Sequence, residues 1–145
     1  YRDLFGEYED RSFKKSIDYL KKREEIKVVK KNDKLFLKLT KKGKVRALLL
    51  RLCRDFKKQP KWDGKWRLIM WDIPEKYSHE RDNIRNLVKG LGFYQLQKSA
   101  FITPYVLPRS AVEYLRESKL VRFVRFLRVE RFENDRWLKR HFGLR

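Results

Sequence analysis

Cysteine is almost missing from this chain. The single Cys53 excludes an intrachain disulfide and any zinc site built on cysteine clusters, and in "ALLLRLCRDF" it reads as a small core hydrophobe. Histidine is nearly as scarce, with two residues, and His79 stands without a recognisable partner. No Ser-His-Asp set, glycine-rich phosphate loop or zinc-ligand spacing occurs. Long apolar runs are absent too: none exceeds about five residues, against the roughly 18 that a spanning helix needs. No secretory feature is visible, so the cytoplasm is the expected location. The chain opens on Tyr1 rather than Met, as a trimmed fragment does, and further residues are expected upstream.

Acidic charge is the other shortage. The 145 residues carry 39 Lys+Arg against 19 Asp+Glu, a formal net charge of +20. A field of that size draws in polyanions, and double-stranded DNA is the expected partner. The chain is 41% hydrophobic, enough material for a core, which excludes a merely disordered basic tail. The charge is uneven. Positions 1–62 hold 21 basic against 9 acidic residues, and positions 63–145 hold 18 against 10. The polar, basic stretch "KKQPKWDGKW" (57–66) separates the two parts and also separates two periodicities.

In the first part, "SFKKSIDYLKKREE" predicts a helix with Phe13, Ile17 and Leu20 on one stripe. Its opposite face carries Arg11, Lys15, Asp18 and Lys22, with Tyr19 on the flank. "EIKVVKKNDKLFLKLT" predicts two strands around a turn at Asn32-Asp33, with Ile26/Val28 and Leu35/Leu37/Leu39 alternating with lysines. Thr40 is then placed to cap a helix with Val45, Leu48, Leu49 and Leu52 inward. Helix, basic hairpin and helix match the later part of a winged helix-turn-helix, with "LTKKGK" closing the wing. The two helices that precede it in such domains are not evident in "YRDLFGEYED". Residues 1–58 therefore read as a partial winged-helix unit.

Residues 62–145 predict the order βαββαβ. "WRLIMWDI" has apolar residues on both faces, as a central strand does. A helix follows, with Ser78 as its cap, Ile84, Leu87, Val88 and Leu91 inward, and Gly90 and Gly92 at its end. "FYQLQ" and "SAFITPYVL" read as strands, and "RSAVEYLRES" as a helix with Ala111, Val112 and Leu115 inward. In "LVRFVRFLRVERF" arginines recur every third residue, but "FLRVERF" also alternates, and a strand from about Phe126 completes the pattern. "ENDRWLKRHFGL" closes as a short helix. The fold class is α+β: a partial winged-helix unit followed by a ferredoxin-like domain.

"WDGKWRLIMWDIPEK" followed by "LGFYQLQKSAFITPY" resembles the central domain of the PaaX-like transcriptional repressors, the phenylacetic-acid degradation repressor family. That domain is in turn similar to the small, dimeric CRISPR-associated adaptation endonuclease. The match spans roughly residues 62–132, through the blocks "WDGKW", "DIPE" and "LQKSAF". The repressors carry a further C-terminal domain, so their effector pocket is not carried over and any small-molecule effector stays unknown. The resemblance implies a homodimeric DNA-binding regulator. Arg11, Lys15, Tyr19 and Lys22 are then placed to approach bases or phosphates, and Lys30, Lys31, Lys34 and Lys38 to carry the wing along the backbone. No cofactor is expected on this reading.

The alternative is a metal-dependent nuclease. In the endonuclease an aspartate ends the first strand and faces its copy across a divalent ion, and Asp72 is the matching position. Magnesium would then be the metal, although Glu75 and Glu80 lie beyond Pro74 and fit a helix N-terminus better. On the regulator reading Asp72 is structural, accepting backbone hydrogen bonds within the "DIPEK" turn. A third reading, a scaffold for protein or RNA, would use exposed Trp62, Trp66 and Trp137.

Overall fold

The computed structural model describes residues 11–57 and 61–145. The stretch "YRDLFGEYED" and part of the expected join, 58–60, lie outside the described residues. The chain forms two compact units, 1–50 and 51–145.

The described part of the first unit opens on α1 (Arg11–Lys22). Its apolar stripe buries Ile17 and half-buries Phe13 and Leu20. The helix stops short of the expected "REE" because Glu24 turns left-handed (φ 59°). Glu25 then returns its N–H to the Leu20 carbonyl at 3.0 Å and leads straight into a strand. Strands β1 (Ile26–Lys31) and β2 (Lys34–Leu39) pair antiparallel, from Ile26 opposite Leu39 to Lys31 opposite Lys34. Asn32 and Asp33 both take positive φ, 50° and 57°, the geometry of a tight two-residue hairpin turn.

Thr40 caps α2 (Lys41–Lys57) as expected, with its Oγ1 accepting the Gly43 N–H at 3.0 Å and donating to the Glu24 carbonyl at 2.6 Å. Gly43 is required here, because a Cβ at this position would stand 1.9 Å from the Glu25 carbonyl oxygen. The division between units falls inside α2, ahead of the expected join. The cause is local to the second unit: Phe56 stacks on Phe93 at 5.4 Å, and Ser110 donates to Asp55 at 3.2 Å. Cys53 is half-buried, without full enclosure in the core.

The second unit contains β3 (Trp66–Trp71), α3 (Ser78–Gly90), β4 (Tyr94–Gln97), β5 (Ala100–Thr103), α4 (Arg109–Glu117), β6 (Val124–Val129) and α5 (Arg136–His141). Its sheet runs β4-β5-β3-β6 with every neighbouring pair antiparallel. The first and third strands of the unit are therefore central and the second and fourth form the edges, as in a ferredoxin-like βαββαβ domain.

One sheet face holds Ile69 and Trp71 with their register partners Phe101 and Val124, all buried. Trp71 stacks on Phe101 at 5.2 Å. The helices α3 and α4 bury stripes of their own, Ile84 and Val88 on the first and Ala111, Tyr114 and Leu115 on the second. The other face holds Trp66, Leu68 and Met70 on β3. Trp66 packs with Ile102 and Leu138 and is lined by Trp62, Phe132 and Phe142. Toward the far end of β3 that cover is lost, and Met70 and Leu127 are 39% and 42% exposed.

Several expectations are corrected at this level. Trp66 is 1% exposed, donates its Nε1–H to Asp135 at 3.1 Å, and offers no docking surface. In α4 Ala111 and Leu115 are buried as expected, but Tyr114 joins them in place of Val112, which is 37% exposed, because the buried face of the helix is 110, 111, 114 and 115. Ser78 is the first residue of α3 and makes no side-chain cap; a short 3₁₀ turn, Glu75–Tyr77, leads in. Gly92 does close α3, at φ +86°, with its N–H on the Lys89 carbonyl. Strand β6 starts at Val124, two residues earlier than expected, since Val124 pairs with Trp71.

The "WDGKW" block is a clasp. Asp63 takes two hydrogen bonds from the Arg67 guanidinium, both 2.6 Å, and one from the Lys65 N–H at 3.1 Å. Hydrogen bonding from Arg67 holds the Asp63 carboxyl well below the usual carboxylate range. Asp135 is drawn down as well: burial pushes it up, but hydrogen bonds from Trp66 and Lys139, with the charge of Lys139, outweigh burial.

Candidate functional site

The basic surface of the first unit is laid out by two periodicities. On α1, Arg11, Lys15 and Lys22 are exposed, four and seven residues apart, and Tyr19 beside them is 59% exposed. Tyr19 is held in place: Arg23 lies over its ring at 5.4 Å and donates to its hydroxyl at 3.2 Å. Arg23 also donates to the buried Glu25 at 2.8 Å, and that hydrogen bond raises the Arg23 pKa above its ordinary value. A cation already engaged by Glu25 contributes less to an external anion than Lys15 or Lys22, which have no ion-pair partner among the described residues.

On the hairpin, register separates residues that the sequence groups together. Ile26, Val28, Lys30, Leu35, Leu37 and Leu39 share one face, and Lys27, Val29, Lys31, Lys34, Phe36 and Lys38 share the other. Lys31, Lys34 and Lys38 therefore lie together, all exposed. Lys30 points to the opposite side and pairs with Asp33 at 3.3 Å. Lys27, not singled out from the sequence, occupies the place on the lysine face that Lys30 was expected to fill. Counting by twos from Lys31 back along the strand reveals it.

Asp72 follows the last residue of β3, and its backbone N–H donates to the Phe123 carbonyl at 3.1 Å. Its side chain is exposed and accepts no hydrogen bond from a described residue, which corrects the expected structural role in the "DIPEK" turn. That turn is closed by backbone alone, from the Tyr77 N–H to the Pro74 carbonyl at 2.9 Å. Asp72 lines a cleft of about 700 Å³, with Met70 and Phe123 as apolar wall and Lys98, Arg122 and Arg125 as cations. Two of these are pinned: Arg122 donates to the Tyr77 hydroxyl at 3.1 Å, and Arg125 to the Arg122 and Val124 carbonyls at 3.0 and 3.1 Å.

This donor set does not suit a divalent cation within one chain. A magnesium ion wants several oxygens in octahedral array, and here one carboxylate shares the cleft with three cations. Glu75 is turned away, paired with Arg81 at 3.0 Å. Among the described residues no three His, Cys, Asp or Glu side chains gather to hold a metal. His79 is exposed on α3. No helix among the described residues is long and apolar enough to cross a membrane.

No protein of curated function matches the chain. Residues 59–138 match the family described as the PaaX protein central Cas2-like domain. That match takes in the clasp, the four-stranded sheet and the first half of α5, more than half of the 145 residues, and the chain belongs to the PaaX family.

Proposed function

We propose that the chain is a DNA-binding transcriptional regulator of the repressor type. Its first unit contacts duplex DNA in the manner of a winged helix, and its second unit pairs two chains. The observation that carries this reading is the set of exposed cations on α1 and the hairpin, Arg11, Lys15, Lys22, Lys31, Lys34 and Lys38, standing on a helix and a two-stranded ribbon, both shapes that a major groove admits. Family membership supports the regulatory role. Cytoplasmic residence goes with it.

The half-covered sheet supports pairing. Met70 and Leu127 leave an apolar area on the sheet face, next to the exposed edge strand β6, and a second copy meeting it across a twofold axis would bury both. A twofold dimer presents two first units to two half-sites.

The test is salt-dependent binding of the whole chain to duplex DNA, with Lys15→Gln and Lys22→Gln combined. The slope of log affinity against log salt should fall by about 0.9 for each phosphate no longer neutralised, close to two units for the pair. An unchanged slope would remove the first unit from the interface.

The nuclease reading keeps one specific support, the unpartnered Asp72 carboxylate at the end of β3. It requires two chains to bring two such carboxylates to one magnesium ion, whose charge would offset their mutual repulsion. Metal-dependent cleavage by purified protein, abolished in Asp72→Asn, would replace the regulator reading.

A further inference from the structure

We propose that the hairpin lies across the DNA major groove on its lysine face and that Phe36 reads thymine there. The inference rests on the duplex-binding reading above, replaces a wing that follows the backbone by a ribbon that enters the groove, and adds a base preference. The lysines of this face form two cross-strand pairs, Lys27 opposite Lys38 and Lys31 opposite Lys34. Four residues separate the pairs along each strand, about 13 Å at the rise of an extended chain. The major groove is about 12 Å wide between its phosphate walls. The two pairs therefore match the two walls, one pair to each backbone.

Between the pairs lie Val29 and Phe36, directly opposite each other in the register. Phe36 is 49% exposed, a large aromatic left in water in the middle of four exposed lysines. An apolar side chain held over the floor of a major groove meets one apolar group there, the 5-methyl of thymine. Lys30 is excluded from this surface, since it points to the other face of the hairpin and carries Asp33 as its partner. The tight turn at Asn32-Asp33 fixes the register, and with it which lysines share a face.

The experiment uses the whole chain and an A·T-rich duplex of about three helical turns, prepared once with thymidine and once with deoxyuridine at the same positions. Replacing thymine by uracil removes only methyl groups. Affinity of the unmodified chain should fall about fourfold for each methyl group that Phe36 covers. Phe36→Ala should bind both duplexes equally, with its salt slope unchanged, because every phosphate keeps its cation. Lys27→Gln should lower the slope by about 0.9, and Lys30→Gln should leave it unchanged. An equal fall of slope in the two lysine variants would overturn the orientation. A thymine preference that survives in Phe36→Ala would overturn the base reading. If the unmodified chain shows no salt-sensitive duplex binding at all, the DNA-binding reading falls and this inference falls with it.

Discussion

Two of the twenty buried hydrophobic side chains among the described residues, Ile17 and Ile26, belong to the first unit, and the rest belong to the second. Among its described residues the first unit is ordered by backbone devices: a tight turn, a threonine that caps α2 and reaches the Glu24 carbonyl, and a glycine under the Glu25 carbonyl. The second is held by aromatic packing on both faces of a sheet. A unit with so few buried side chains leaves apolar residues such as Phe36 and Leu39 exposed among its charges. One that depends on a core must turn its large side chains inward. The two units should respond differently to substitution.

Trp66→Ala should show the largest effect. Trp66 is 1% exposed and packs against Ile102 and Leu138, so its removal should cost about 3–5 kcal/mol by urea denaturation. Phe36→Ala in the first unit should change stability by less than about 0.5 kcal/mol. Equal costs would erase the distinction between a side chain used for packing and one left for binding.

Gly43→Ala comes next. The Cβ would stand 1.9 Å from the Glu25 carbonyl oxygen, and backbone must move to admit it. A destabilisation of roughly 2 kcal/mol is expected, read as reduced hydrogen-exchange protection in β1 and β2 with the amides of β3 and β5 unaffected. Reduced protection in both units together would mean that they unfold as one.

For DNA binding the contrast runs the other way. Lys15→Gln with Lys22→Gln should flatten the salt slope, whereas Arg128→Gln with Arg131→Gln in the second unit should leave it unchanged. Both arginines already have acidic partners, Glu130 at 3.1 Å and Glu133 at 3.4 Å. A flattened slope in the arginine variant would extend the interface to the second unit.

Asp63 gives a smaller, pH-dependent effect. Its folded pKa lies below the unfolded value of about 3.9, so its contribution is complete above that value and disappears as pH falls through the folded pKa. The stability gap between the unmodified chain and Asp63→Asn should be flat from about pH 7 to 5 and shrink below about pH 4. The partial exposure of Asp63 limits that gap to about 1 kcal/mol. A gap that grows on acidification would contradict the clasp. The smallest effect belongs to Asp72→Asn: with no hydrogen bond from a described residue onto the carboxylate, the urea midpoint should not move measurably.

Much of this was open to reading in the chain itself. The element order, the α+β class and the family follow from local periodicity and from three sequence blocks, because hydrophobic spacing reports which face of an element is dry. The Thr40 cap, the Asn32-Asp33 turn and the Gly92 stop are each governed by a few neighbouring residues, and each is found where expected. The basic character of α1 is equally local, since residues three and four apart must share a helix face.

Long-range pairing decided the rest. Lys27 and Lys30 are alike in sequence, and only the register of β1 with β2 puts one on the lysine face and the other beside Asp33. Trp66 and Trp137 look equivalent as exposed aromatics, yet Trp66 is enclosed by a helix from the far end of the chain, while Trp137 stays 39% exposed. Around Asp72, the cations Lys98, Arg122 and Arg125 come from two distant segments that meet at one end of the sheet. Their charge changes what a lone carboxylate can bind. Sequence spacing fixes what residues within one turn or one strand can do for each other. Which residues from remote segments share a field is set only when the strands find their order.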